Sequence, residues 1–260
     1  MNGRLTQIGF SQRIRLEWLE SAANLVLAGN DETSTSYALR ELLQDKLSVG
    51  RNANRGNREK AITILMKIWA RPPHELRPLW RDGLELLSFL PREDRIAVHW
   101  GMAMAVYPFW GAVAAHVGRL LRLQGTAAAS QVQRRVREQY GERDTVSRAA
   151  RRVLRSFVDW KVLKETSKKG LYTAGLSLAI TRVEVIAWLA EACLRARPNG
   201  SVALRTVLDS TSLFPFRLNP LSAEHLVAVS RRLDVLRHGV DEELIMLRTE
   251  SRTAVKEGGA

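Results

Sequence analysis

The sequence predicts a mainly α-helical protein with an N-terminal helical domain, a winged helix-turn-helix and a mostly helical C-terminal extension. Apolar residues recur at helical spacing through the first 125 residues, with no alternating strand pattern before residue 160. Two short amphipathic segments then meet at a glycine turn, and strand, turn and strand follow them. We place the domains at 1–125, 126–176 and 177–248, with a disordered tail at 249–260.

Six helical segments fill the N-terminal domain. Ser11 can cap the first segment, and Pro72 and Pro73 end the third. A polar loop rich in Gly and Asn, 50–57, separates the second from the third. The segments cover roughly 14–27, 33–47, 57–69, 75–90, 92–106 and 109–123.

One uncharged stretch, 100–118, is long enough to cross a bilayer. Pro108 interrupts it, His116 lies inside it, and Gly and Ala dilute its large apolar side chains. We therefore expect two buried helices that meet near Tyr107 and Pro108, and no membrane insertion. The N-terminus lacks the apolar core of a signal peptide, and the single cysteine, Cys193, fits a reducing, cytoplasmic setting.

The helix-turn-helix begins at residue 130. A short helix over 130–140 ends at Gly141, and Asp144 can cap a second helix that runs to about residue 160. Strands are expected at 162–165 and 171–173, around a turn at 166–170.

The second helix has two distinct faces. At 100° per residue, the apolar side chains fall within about 60° of Ala150. That stripe contains Val146, Ala150, Val153, Leu154 and Phe157. Four arginines fall at about 100°, 140°, 160° and 200°, with Thr145 and Ser156 at their edge. In angular order they are Arg151, Arg155, Arg148 and Arg152. We expect their guanidinium groups to point outward together, unpaired, with Asp159 as the one acidic residue on the same face.

Positive charge is concentrated in this region. The chain carries a net charge of +13, and residues 130–170 hold twelve Lys or Arg against five Asp or Glu, a net charge of +7. Because a guanidinium can contact phosphate or guanine with two hydrogen bonds, we expect double-stranded DNA as the partner. The candidate binding residues are Arg148, Arg151, Arg152, Arg155, Thr145, Arg134, Lys168 and Lys169. A weaker basic cluster contains Arg51, Arg55 and Arg58.

The C-terminal extension is less regular. A helix is predicted over 181–196, and 202–208 and 223–233 have helical spacing. Residues 234–247 fit either a hairpin or a continued helix. The seven tryptophans fall mostly at core spacing, so we interpret them as packing anchors and not as a base-stacking platform.

Signs of catalysis are missing from the sequence. It has no glycine loop for nucleotides, and its five histidines and one cysteine lack metal-ligand spacing. We therefore expect no cofactor and no enzymatic activity.

Several of these segments together resemble a known protein family. The early helices, the loop 51–60 leading into the helix that ends at Trp69, and the helix-turn-helix leading into 156–160 together resemble the BrxA proteins of BREX phage-defence systems. That resemblance implies a helical body like the NusB RNA-binding fold. It also implies an accessory that binds DNA without catalysis, alongside other defence-system proteins.

Three other functions stay open. A winged-helix transcription regulator would need a palindromic site and a homodimer. An adaptor would use the basic face to bind an acidic protein. An RNA-binding protein would use the helical body.

Overall fold

Helices dominate the computed structural model, which describes residues 3–47, 56–199, 201–238 and 242–248. Helix accounts for 61% and strand for 12%, which confirms the mainly helical class. The helices of the N-terminal part are α1 (Leu16–Leu27), α2 (Glu32–Leu42), α3 (Asn57–Trp69), α4 (Arg77–Phe89), α5 (Arg95–Val106) and α6 (Pro108–Gln124). All six predicted helices are present, but Ser11 caps none of them, since Arg15 takes the N-cap position of α1.

The uncharged stretch forms two buried helices, as predicted. Helix α5 ends at Val106 and α6 begins at Pro108, with an angle of 117° between them. Every residue of α5 from Ile96 to Val106 is buried. Among the helices described, no single one has the length and hydropathy of a membrane span; this bent pair passes that test by length and composition alone.

The next two helices in the chain are preceded by one strand and followed by two, and the three strands form an antiparallel sheet. In chain order the elements are β1 (Thr126–Ala128), α7 (Ala129–Tyr140), α8 (Asp144–Asp159), β2 (Leu163–Glu165) and β3 (Leu171–Ala174). The strand order is β1-β3-β2, with Ala127 opposite Tyr172 and Lys164 opposite Thr173. The sequence did not predict β1, because three small residues show no alternation. Asp144 starts α8 and Arg143 takes its N-cap position, so the predicted cap was wrong by one residue.

The C-terminal part mixes helices and strands and is not mostly helical as expected. It contains β4 (Leu178–Ile180), α9 (Val183–Arg195), β5 (Ser201–Ala203), α10 (Leu204–Leu208), β6 (Phe216–Leu218), α11 (Ala223–Val229), β7 (Leu233–His238) and β8 (Glu242–Leu247). Strands β4 and β6 form a two-stranded parallel sheet, and a second three-stranded sheet has the order β5-β8-β7. The hairpin alternative for 234–247 is therefore correct. The predicted tail at 249–260 lies outside the described residues, and the domain boundaries stay predictions.

Aromatic side chains fill the centre of the core. Trp100 stacks on Phe157 of α8 at 4.8 Å between ring centroids, and contacts Trp110 at 5.3 Å and Trp160 at 5.9 Å. Six of the seven tryptophans are buried, as the packing interpretation predicts. Helix α8 is thus fixed to the N-terminal helices through its apolar stripe.

Helix α6 packs closely against the segment after α10, and Gly118 permits this approach. A Cβ atom at Gly118 would lie 2.2 Å from the carbonyl oxygen of Thr211 and 2.6 Å from the Cβ of Phe214. We expect Gly118→Ala to lower the free energy of unfolding by about 1–3 kcal/mol, because the helix must shift away. Urea denaturation measures this loss. Gly3→Ala is the control, since its new Cβ would meet nothing closer than 4.0 Å; equal losses in both variants would contradict the close-packing argument.

Candidate nucleic-acid interface

Packing fixes which side of α8 faces outward. The predicted stripe of Val146, Ala150, Val153, Leu154 and Phe157 is buried, with no member more than 1% exposed. Asp144, the first residue of the helix, lies where a negative charge is favourable. The basic side of α8 therefore points away from the core, as the periodicity predicts.

A segment from the start of the chain covers one flank of α8. We call residues 11–15 the N-terminal strap. The Ser156 hydroxyl accepts the backbone N–H of Ile14 at 2.9 Å, and the Trp160 indole donates to the carbonyl of Ile14 at 3.0 Å. Ser156 is buried as a result, so its placement at the edge of the exposed face was wrong.

Arg152 is turned toward the strap. Its Nη1 donates to the carbonyl oxygen of Ser11, and the residue is half-buried. Burial, together with repulsion from Arg148 and Arg151, lowers the pKa of Arg152 below its usual value. The expectation that Arg152 presents a free guanidinium was therefore wrong, because the sequence pattern cannot show a partner that lies 141 residues away.

Arg155 forms an ion pair with the neighbouring strand. Its Nη1 lies 2.6 Å from Oε1 of Glu165 on β2. Both side chains stay about half exposed, at 43% and 51%. Arg155 is accessible, but its charge is partly neutralised, so a free guanidinium was the wrong expectation here too.

Arg148 and Arg151 lie on the outward side of α8, as the helical periodicity predicts. Both are exposed, and neither has a hydrogen-bond or ion-pair partner within the part of the chain that the structure describes. Thr145, one turn before Arg148, is also exposed. These three residues form the open face of α8.

Asp159, the one carboxylate expected on the arginine face, is bound by a residue of the strap. Two N–H groups of Arg13 donate to its two oxygens. Hydrogen bonding to Asp159 raises the pKa of Arg13. Because Arg13 already neutralises this carboxylate, Asp159 does not offset the charge of the open face.

The turn between β2 and β3 presents two lysines. The Thr166 hydroxyl accepts the backbone N–H of Lys168 at 3.2 Å, and Gly170 has a φ of +78°, so the turn is held by local contacts. Lys168 and Lys169 are exposed, as predicted, and so is Lys164 on β2. None of the three has a side-chain partner among the described residues.

The remaining candidates are Arg134 and the basic cluster of Arg51, Arg55 and Arg58. Arg134 is exposed on α7, with its Nε 4.0 Å from Glu138, which also binds Arg135 at 3.0 Å. Arg51 and Arg55 lie outside the described residues. Arg58 is half-buried on the first turn of α3, and its Nε has no hydrogen-bond partner among described groups.

The start of α3 nevertheless lies beside the strap. The side chain of Asn57 accepts a hydrogen bond from Gln12 at 2.7 Å. The first turn of α3, which carries Arg58, is therefore joined to the strap.

Sequence reasoning missed two features of this site: the strap on the flank of α8, and β1 at the base of the hairpin. Nothing in the sequence indicated that 11–15 would pack on α8. Among the described residues, no group of three or more His, Cys, Asp or Glu could hold a metal ion. Comparisons of the chain with protein-family models, curated proteins and solved structures found no match.

Proposed function

We propose that the protein binds duplex DNA without catalysing a reaction, and that α8 is the recognition helix of a winged helix-turn-helix. The observation that carries the proposal is the open face of α8, where Arg148 and Arg151 are exposed and unpartnered among the described residues. The remaining sides of α8 are held by the core, the strap and β2. A helix with one free, basic side is suited to a groove lined by phosphates.

The order of elements supports the same proposal. Helix α6, strand β1, helices α7 and α8, and the β2-β3 hairpin follow one another, and β1 pairs with the returning strand of the hairpin. A winged helix would have this order of elements, and in our proposal α8 reads the groove while the hairpin with Lys168 and Lys169 touches the flanking phosphates.

Groove dimensions favour DNA over RNA. The major groove of B-form DNA is about 12 Å wide and admits an α-helix, whereas that of an A-form RNA helix is too narrow. An acidic protein partner would need carboxylates that match the spacing of α8 and the hairpin together. A duplex supplies negative charge along both.

A salt titration tests the proposal. If the free cations of α8 and of the β2-β3 hairpin each meet a phosphate, they alone should make the logarithm of the binding constant fall with the logarithm of salt concentration at a slope of about −4.5. Those cations are Arg148, Arg151, Lys164, Lys168 and Lys169. Fluorescence anisotropy with a labelled duplex of random sequence measures the slope, with structured RNA as competitor. A lack of binding at low salt, or preferential displacement by RNA, would contradict the proposal.

The biological role that we propose is an accessory in a phage-defence system of the BREX type. It depends on the resemblance of the helical segments to BrxA proteins. Neighbouring genes for a methyltransferase, an ATPase and an alkaline-phosphatase-like protein would support this role. Selection of a palindromic site from random duplexes, bound by a homodimer, would instead support a transcription regulator.

Glu165 should weaken DNA binding in the natural protein. Its carboxylate lies among the basic side chains of β2 and α8 and holds Arg155 at 2.6 Å. We expect Glu165→Gln to raise duplex affinity up to about fivefold, because an exposed ion pair of this kind contributes about 0–1 kcal/mol. Anisotropy at fixed salt measures the change. The control is Glu142→Gln, which removes an exposed carboxylate from Arg137 on α7; an affinity below that of the natural protein in Glu165→Gln would show that Glu165 positions Arg155 for binding.

A further inference from the structure

A cleft of about 350 Å³ lies at the end of α8, between α1 and α5. Four cationic side chains from different parts of the chain line it. They are Arg15 of the strap, Arg92 in the loop before α5, Arg95 on α5, and Lys161, two residues after the end of α8. The cleft therefore gathers positive charge that is scattered in the sequence.

The carboxylates of the cleft are already bound. Glu17 lies 3.4 Å from Arg15, and Asp159 is held by Arg13. Glu20 accepts hydrogen bonds from Arg95 and, at 2.7 Å, from Nε2 of His99.

Glu20 stays ionised near neutral pH. Burial raises the pKa of Glu20, but the hydrogen bonds from His99 and Arg95 outweigh burial and bring it to about 2. Burial lowers the pKa of His99, so its imidazole is neutral and donates to Glu20. Two cations of the cleft, Arg92 and Lys161, are left without a side-chain partner among the described residues.

Lys161 has an unusual backbone conformation. Its φ is +62°, and it is the one non-glycine residue with positive φ in the described ranges. The fold requires this turn, because the Lys161 carbonyl accepts the N–H of Leu176 at 2.7 Å and Gly175 packs against it. Glycine would adopt this conformation with less strain. A lysine in a strained position, with an exposed side chain at a basic cleft, points to a use for its ammonium group.

We propose that this cleft binds a phosphate of the DNA backbone, next to the duplex segment that α8 reads. The inference rests on the proposed function. Arg151 lies eight residues before the end of α8, which is about 12 Å along the helix, and the cleft with Lys161 begins where the helix ends. With Arg151 in the groove, we expect the backbone of the same duplex to continue past this end of the helix, where Lys161 and Arg92 can meet a phosphate.

The test separates folding from binding. Lys161→Gly removes both the strain and the charge, so we expect its urea midpoint to rise while duplex affinity falls about threefold to tenfold. The salt slope should become shallower by about 0.9, the value for one lost phosphate contact. Arg92→Gln should give the same loss of slope. Lys161→Arg should restore affinity, because it keeps the charge.

Controls distinguish a failure of the cleft site from a failure of the proposed DNA binding as a whole. Lys46→Gln removes a lysine exposed after α2 and should leave affinity within about twofold. If Lys161→Gly and Arg92→Gln keep the natural salt slope while reversal of Arg148 and Arg151 removes binding, the cleft site is overturned and the proposed function stands. If the unchanged protein does not bind duplex at low salt, both are overturned.

Discussion

Replacement of Arg148 and Arg151 together by Glu is expected to abolish duplex binding. Both guanidinium groups are exposed on α8 and have no partner in the described part of the chain. Each contact of an arginine with a base or phosphate contributes about 1–3 kcal/mol, and the two carboxylates would add repulsion. The expected loss is therefore at least about a hundredfold in Kd, measured by anisotropy at fixed salt.

A matched variant controls for net charge. Arg205→Glu with Arg231→Glu changes the total charge equally, at exposed positions in the C-terminal part. It should bind duplex within a fewfold of the natural protein. If the Arg148 and Arg151 variant keeps its circular dichroism spectrum and still binds like the natural protein, α8 is not the DNA-binding surface. Equal losses in both double variants would indicate attraction by net charge alone.

Glu191 should be the most costly single carboxylate to remove. It lies on α9 with its side chain 1% exposed, 2.7 Å from Nε of Arg195 and 2.9 Å from Nε of Arg232. Arg232 also donates to Asp82 on α4. Burial lowers the pKa of Arg232, but these carboxylates outweigh burial and raise it.

We expect Glu191→Ala to lower the free energy of unfolding by about 3–5 kcal/mol, because it leaves two partly buried guanidinium groups without their main partner. Chemical denaturation measures the loss. Glu138→Ala is the control, since Glu138 also binds two arginines but is 48% exposed and should contribute at most about 1 kcal/mol. A similar, small loss in both variants would show that the buried ion pairs do not stabilise the fold.

Local periodicity predicted the parts of the site that depend on local structure. The apolar stripe of α8 and the exposure of Arg148 and Arg151 both follow from 3.6 residues per turn. Arg152 and Arg155 could not be predicted in the same way. Their partners, Ser11 and Glu165, come from the strap and from β2, and helical spacing carries no information about them.

Short strands limited the prediction of the fold. The sequence indicated β2 and β3 because a lysine-rich turn separates them. Strands β1 and β5 have three residues each, and their pairing depends on partners at β3 and β8, far along the chain. Strands as short as these can be predicted only when the partner strand is known. The helical class, which depends on long periodic segments, was therefore easier to predict than the C-terminal sheets.

The strap also sets an order of events during synthesis. Its hydrogen bonds join residues that are 142 and 146 positions apart in the chain. The strap is synthesised before α8 and can reach its final place only after α8 has emerged from the ribosome. Closing so long a loop costs entropy that local helix contacts do not repay. We therefore expect the strap and α8 to become ordered together, in a late step of folding.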